Sequence, residues 1–155
     1  MAAKLQDHDS EVRGRAADAL GGLGHSAMPF MNELINRIED DCAPAWSRAA
    51  DVLVTLGAPS ARALAKQLRH GHVLRRQRAV DALARMGDVG AAAIASLPAP
   101  PAICNAEVLE VASAALVQMG EEGVSALASW LHSPDPRLRT QGLKALGSIG
   151  EGCLP

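Results

Sequence analysis

The stretch "ADALGGLG" (residues 17–24) closes an alanine- and leucine-rich helical pattern, yet it carries three glycines. A glycine inside a helix costs about 0.5–1 kcal/mol relative to alanine, so three in succession call for a reason. The reason is repetition. The stretch returns as "ADVLVTLG" (50–57), "VDALARMG" (80–87), "SAALVQMG" (113–120) and "LKALGSIG" (143–150). The final glycines, Gly24, Gly57, Gly87, Gly120 and Gly150, stand 33, 30, 33 and 30 residues apart. Self-similarity at such a period is the mark of stacked supersecondary units.

The columns before each glycine say what the units are. Leu20, Leu53, Leu83, Leu116 and Leu146 share one column, and the residue four before each is small: Ala16, Ala49, Ala79, Ala112 and Gly142. Three residues after the leucine come Leu23, Leu56, Met86, Met119 and Ile149. These offsets line one narrow stripe of a helix, with small side chains where a second backbone must come close. Between the copies lies another apolar pattern, "ALAKQL" (63–68) and "ALASWL" (126–131), with Met31 and Leu34, then Ile94 and Leu97, in the equivalent places. The spacing predicts an all-α chain in which each unit is a helix, a glycine stop, a second helix and a short loop. The expected units are 7–40, 41–71, 72–101, 102–133 and an incomplete 134–155, in a single domain over 1–155. Arg13, Arg76 and Arg139 recur 63 residues apart, with Trp46 and Leu109 in the intervening copies, which points to duplication of a two-unit ancestor. Prolines fall where helices begin or end, and "LPAPPA" (97–102) is expected to bend the stack, or else to offer a short extended docking segment.

These columns resemble the HEAT-like repeat, in the short form of phycobilisome-lyase-type repeat proteins. The carrying segments are "DSEVRGRAADALGGLG" (9–24) and "DPRLRTQGLKALGSIG" (135–150), which follow that family's D-x-x-V-R-x-x-A-x-x-A-L-G-x-[LI]-G pattern. The second and fourth units lack its Asp and Arg. Tetratricopeptide repeats need aromatic columns that are absent, and no ankyrin T-P-L-H signature occurs. The resemblance implies a right-handed α-solenoid of about five units, with first helices on its convex side and second helices on its concave side. It implies no chemistry, because such folds host binding scaffolds, bilin lyases and DNA glycosylases alike.

Composition narrows the classes. Of 155 residues, 48% are hydrophobic but only 2% aromatic, so the core must be aliphatic and closely packed. No apolar run reaches the roughly 18 residues of a membrane span, and "MAAKLQDHDSEVRGR" (1–15) holds no signal-peptide segment. Three dispersed cysteines, Cys42, Cys104 and Cys153, suggest neither a disulfide framework nor a metal knuckle. An intracellular, cytoplasmic setting is the default, and a plastid is compatible. The chain opens on what reads as the tail of a second helix and closes after a fifth first helix, so its ends are expected to be uncapped, with one or both packing on another protein, or the chain to be a fragment of a longer solenoid.

No His-Glu pair, Gly-x-Ser-x-Gly elbow or phosphate-cradling glycine loop occurs. The sequence therefore reads as no enzyme, with no catalytic residue, cofactor or metal; His70 and His72 read as loop histidines rather than ligands. Arg13, Arg76 and Arg139 read as a structural ladder near Asp9 and Asp135. Arg15/Asp18, Arg48/Asp51 and Arg78/Asp81 are spaced as i, i+3 pairs on helix surfaces. The sharper feature is charge polarity. Arg62, Lys66, Arg69, Arg75, Arg76 and Arg78 stand without an acid between 62 and 78, while 86–134 contains no Lys or Arg but holds Asp88, Glu107, Glu110, Glu121 and Glu122. Stacked units keep sequence order in space, so the two blocks should form separate bands. The basic one would dock an acidic segment of a protein partner in a larger complex, or be an ordinary uneven surface. Nucleic acid is disfavoured by a formal net charge of −2 and the lack of aromatic platforms. Trp130 reads as core, and Trp46 as core or as an interface anchor. The function expected is thus a non-enzymatic scaffold, and the alternative is a lyase-like or enzyme-associated protein serving a pigment complex.

Overall fold

The D-x-x-V-R segment shows how the first helices start. Asp9 stands in extended backbone just ahead of helix α1 (Ser10–Gly21), and its carboxylate accepts the Glu11 N–H at 2.8 Å. Asp135 does the same ahead of the last helix (Pro136–Glu151), accepting the Arg137 N–H at 2.8 Å. Each satisfies a backbone donor that a helix start leaves open. The arginine four residues on ties down the preceding loop. Arg13 Nη1 donates to the carbonyls of Asp7 (2.9 Å) and His8 (3.0 Å), and Arg139 Nη1 donates to those of Ser133 and Pro134, both at 2.9 Å. The sequence set these arginines beside Asp9 and Asp135; the acids instead take backbone N–H groups, and the arginines reach carbonyls.

The computed structural model describes residues 2–69, 72–97 and 106–151. Every regular element among them is helical: α1, then α2 (Met31–Arg37), α3 (Ala43–Thr55), α4 (Ala58–Gln67), α5 (Val73–Ala84), α6 (Asp88–Ala95), α7 (Ala106–Gln118), α8 (Glu121–Leu131) and α9 (Pro136–Glu151), with 3-10 segments at Ala2–Gln6 and Gly24–Phe30. The odd helices form one row, α1 on α3, α3 on α5, α5 on α7 and α7 on α9. In the other layer α4 packs on α6 and α6 on α8, while α2 packs on α3. His70, the prolines of 98–101, Cys104 and Cys153 lie outside the described residues.

The core sits between the layers. Leu20, Leu53, Leu83 and Leu116 are fully buried, as are Ala49 and Ala79 of the small column, and Leu146 is half-buried. Leu56 and Met119 of the next column are buried too, but Leu23 is 46% exposed. The first copy differs because Gly24 opens a 3-10 segment where later glycines open an α-helix, so Leu23 has no second helix starting beneath it.

The repeated glycine is more than a stop. Gly57, Gly87 and Gly120 have φ of 70°, 56° and 67° with ψ of −142°, −129° and −133°, and each is the N-cap of the helix that follows, α4, α6 and α8. This is not the left-handed conformation of a helix end, which has positive ψ. This mirror-image extended geometry is one that a residue with a Cβ avoids. Gly150 departs further, since α9 runs through it to Glu151. Gly21 fills a tight packing slot between α1 and α3: an added Cβ would lie 3.0 Å from Val52 Cγ2. A second small column, three residues after the repeated glycine, was not read from the sequence. A Cβ on Gly90 or Gly123 would fall 2.0 or 1.6 Å from the carbonyl oxygen of Leu83 or Leu116. At the same place Ser60 donates its hydroxyl to the Leu53 carbonyl. Each second helix thus leans on the carbonyl of the key leucine.

Candidate functional site

The charged residues fall into two systems, one turned inward and one outward. The inward system gathers on the loop between α2 and α3. The Asp40 side chain is 1% exposed and accepts four hydrogen bonds: Arg13 Nε at 2.5 Å, Arg13 Nη2 at 2.7 Å, Arg37 Nη1 at 3.2 Å and the Cys42 N–H at 3.0 Å. The Arg13 hydrogen bonds hold its carboxyl below the usual range, against the opposing effect of burial. Arg78 Nη1 donates to the carbonyls of Ile38 (2.6 Å) and Asp40 (2.8 Å), and its guanidinium lies 4.6 Å from the Trp46 ring centroid. Burial lowers the Arg78 pKa. Arg75 pairs with Glu39 Oε2 at 3.2 Å and donates to Asn36 Oδ1 at 2.9 Å, and His72 Nδ1 lies 3.6 Å from Glu39 Oε1. Arg76 is buried in α5. The α5 part of the basic run therefore ties α5 to the 36–40 segment. The sequence reading missed "EDD" (39–41), although an acidic run in a helix-ending loop, one unit before a basic helix start, was a usable signal.

The outward system lies on the even helices. Arg62, Lys66 and Arg69 are exposed and have no hydrogen-bond or ion-pair partner among the described residues. Their spacing of four and three residues puts them on one stripe of α4 and its end. Opposite them stand exposed Asp88 in the first turn of α6 and exposed Glu121 and Glu122 in the first turn of α8. Between these walls run two grooves. One of about 310 Å³ separates α4 from α6 and is bordered by Ala58, Arg62, Asp88, Ala92 and Ser96. The other, of about 680 Å³, separates α6 from α8 and is bordered by Asp88, Ala92, Ser96, Glu121, Glu122, Ser125 and Ser129. Asp88, Ala92 and Ser96 belong to both, so the two grooves flank one α6 stripe whose small Ala and Ser side chains leave only a low ridge between them, a shallow trough across three helices. The charge blocks were legible in the sequence; the trough that joins them was not.

Other expectations changed as well. The surface pairs are not the expected i, i+3 ones: Arg48 Nε pairs with Asp18 at 3.4 Å and Arg85 with Asp51, both between helices, while Arg15 turns back within α1 to Glu11 at 3.1 Å. Because the odd helices lie side by side, a neighbour's guanidinium reaches Asp18 and Asp51 before the one three residues away does. Trp130 is buried with its Nε1 unpartnered, and Trp46 is half-buried beneath Arg78. Among the described residues no group of three or more His, Cys, Asp or Glu could hold a metal ion, and no helix is long and apolar enough to cross a membrane. A further groove of about 540 Å³ lies between α5 and α7 and is walled largely by Val73, Val80, Val111 and Ala114.

These elements define an all-helical protein built from repeated helix pairs, with a charged trough along one layer. No family model matches the chain, and no curated protein matches it. Solved structures do. One is an engineered protein, 20% identical, covering 96% of this chain and 77% of that one, with a TM-score of 0.42. Another is the complex of CpcE and CpcF of phycocyanin lyase from Nostoc sp. PCC7120, 21% identical, covering 94% of this chain and 62% of that one, with a TM-score of 0.44. The chain thus spans less than two thirds of its counterpart in that complex. The exclusion of enzymes drawn from the sequence is corrected by this finding, because a structure the chain resembles is that of a lyase.

Proposed function

We propose that this chain is a protein-binding subunit of the HEAT-like kind, a right-handed stack of about five helix pairs that joins a larger assembly through its even-helix layer. That layer is the concave side, and the pairs follow the units 7–40, 41–71, 72–101, 102–133 and 134–155. The observation that carries the reading is the contrast within the basic run. Arg75 and Arg78 are committed to the 36–40 segment, whereas Arg62 borders the α4–α6 groove and, with Lys66 and Arg69 further along the same stripe, keeps an exposed side chain without a partner among the described residues. Unpaired cations on one helical stripe confer attraction for an acidic segment without a loss of internal bonds.

The test is capture of partners on the purified chain, wild type against Arg62→Glu/Lys66→Glu/Arg69→Glu, read by quantitative mass spectrometry at about 50 mM salt. Stoichiometric proteins should be held by the wild type and lost from the variant, with helicity by circular dichroism unchanged. Equal capture by both would refute the reading.

A further inference from the structure

Resting on the reading above, the geometry points to the polarity of the bound segment: we infer that the trough takes one extended peptide whose acidic end lies over α4 and whose basic end lies over the N-terminus of α8. Three observations carry this. The outer walls have opposite sign, Arg62 on the α4 side, with Lys66 one turn further along the same stripe, and Glu121 and Glu122 on the α8 side, and none of these side chains has a partner among the described residues. The two grooves flank one α6 stripe, Asp88, Ala92 and Ser96, where Ala92 and Ser96 leave the ridge between them low. The floor is Ala and Ser, so a peptide backbone can lie close to it and meet the hydroxyls of Ser96, Ser125 and Ser129.

The helix packing fixes a length. α4 packs on α6 and α6 on α8, and neighbouring helix axes lie about 8–10 Å apart, so the charged walls are roughly 16–20 Å from one another. An extended chain advances about 3.3 Å per residue, which places the acidic and basic groups of the occupant about five or six residues apart. A uniformly acidic segment is matched only along the outer α4 wall and meets like charge at Asp88, Glu121 and Glu122. Complementarity of this sort fixes register more than raw affinity.

A random dodecamer peptide library displayed on phage and selected on the full chain at about 50 mM salt reads the preference directly. Selected peptides should carry Asp or Glu at one end and Lys or Arg at the other, five or six residues apart. Synthetic copies should bind at least about tenfold more weakly to Glu121→Gln/Glu122→Gln, and selection on Glu121→Lys/Glu122→Lys should shift to uniformly acidic peptides. Uniformly acidic peptides selected on the wild type, and lost on Arg62→Glu/Lys66→Glu, would overturn the polarity while leaving the acidic-partner reading intact. Enrichment that ignores the α4 charges, or no enrichment at all, would overturn both.

Discussion

Arg13 grips Asp40 with two nitrogens, Nε to Oδ2 at 2.5 Å and Nη2 to Oδ1 at 2.7 Å, across 27 residues of chain. The pair joins the start of α1 to the loop ahead of α3, and the Asp40 side chain is almost fully removed from water. Breaking one partner of such a pair leaves an uncompensated charge and costs about 3–5 kcal/mol. Asp40→Ala should therefore lower the urea-unfolding free energy by about that amount, since Arg13, Arg37 and the Cys42 N–H all lose an acceptor. A change no larger than a surface substitution would show that the network does not hold the first two units together.

Acid should act through the same carboxyl. Arg13 holds the Asp40 pKa below its ordinary value, so the group contributes stability above the unfolded-state value, near 3.9, and loses it as pH falls toward the folded one. Wild-type stability should fall as pH drops below about 4, and that of Asp40→Asn should fall less. Urea midpoints measured across this range make the comparison; parallel curves would assign the acid sensitivity elsewhere.

Two glycines of the same chain should answer alanine in opposite ways. At Gly123 the new methyl would lie 1.6 Å from the Leu116 carbonyl oxygen, so α8 must move off α7 and the protein should lose stability. At Gly147, inside α9, nothing lies within 4 Å, and alanine should add about 0.5–1 kcal/mol through helix propensity. Thermal midpoints of the two variants give the signs.

The Arg78 guanidinium over Trp46 makes a separable contribution. A double-mutant cycle with Arg78→Met and Trp46→Leu should return a coupling of about 0.5–1 kcal/mol. Zero coupling would leave the Ile38 and Asp40 carbonyls as the whole reason for the Arg78 position.

The repeat was legible because packing repeats. Leu20, Leu53, Leu83 and Leu116 must each meet the same neighbours, so the pattern returns in the sequence and burial follows it. Asp40 belongs to no repeated column and meets Arg13 and Arg78 from different units, so no local spacing could announce it. The same holds for Asp18 with Arg48 and Asp51 with Arg85, which join adjacent odd helices. The cations of the basic run looked alike as letters. Only their surroundings separate Arg75, half-buried against Glu39, from Arg62 beside the trough. The column of Ser60, Gly90 and Gly123 was present in the sequence too, but its meaning lies in the Leu53, Leu83 and Leu116 carbonyls it meets.

The direction of those exposed pairs has a mechanical consequence. Asp18–Arg48 and Asp51–Arg85 act as rungs between successive helices, not as braces along any one of them. Salt screens exposed charges, so raising ionic strength weakens these rungs, each worth about 1 kcal/mol at most, while the aliphatic core between the helices is untouched. Electrolyte thus trims the coupling between neighbouring repeats without loosening the packing that stacks them.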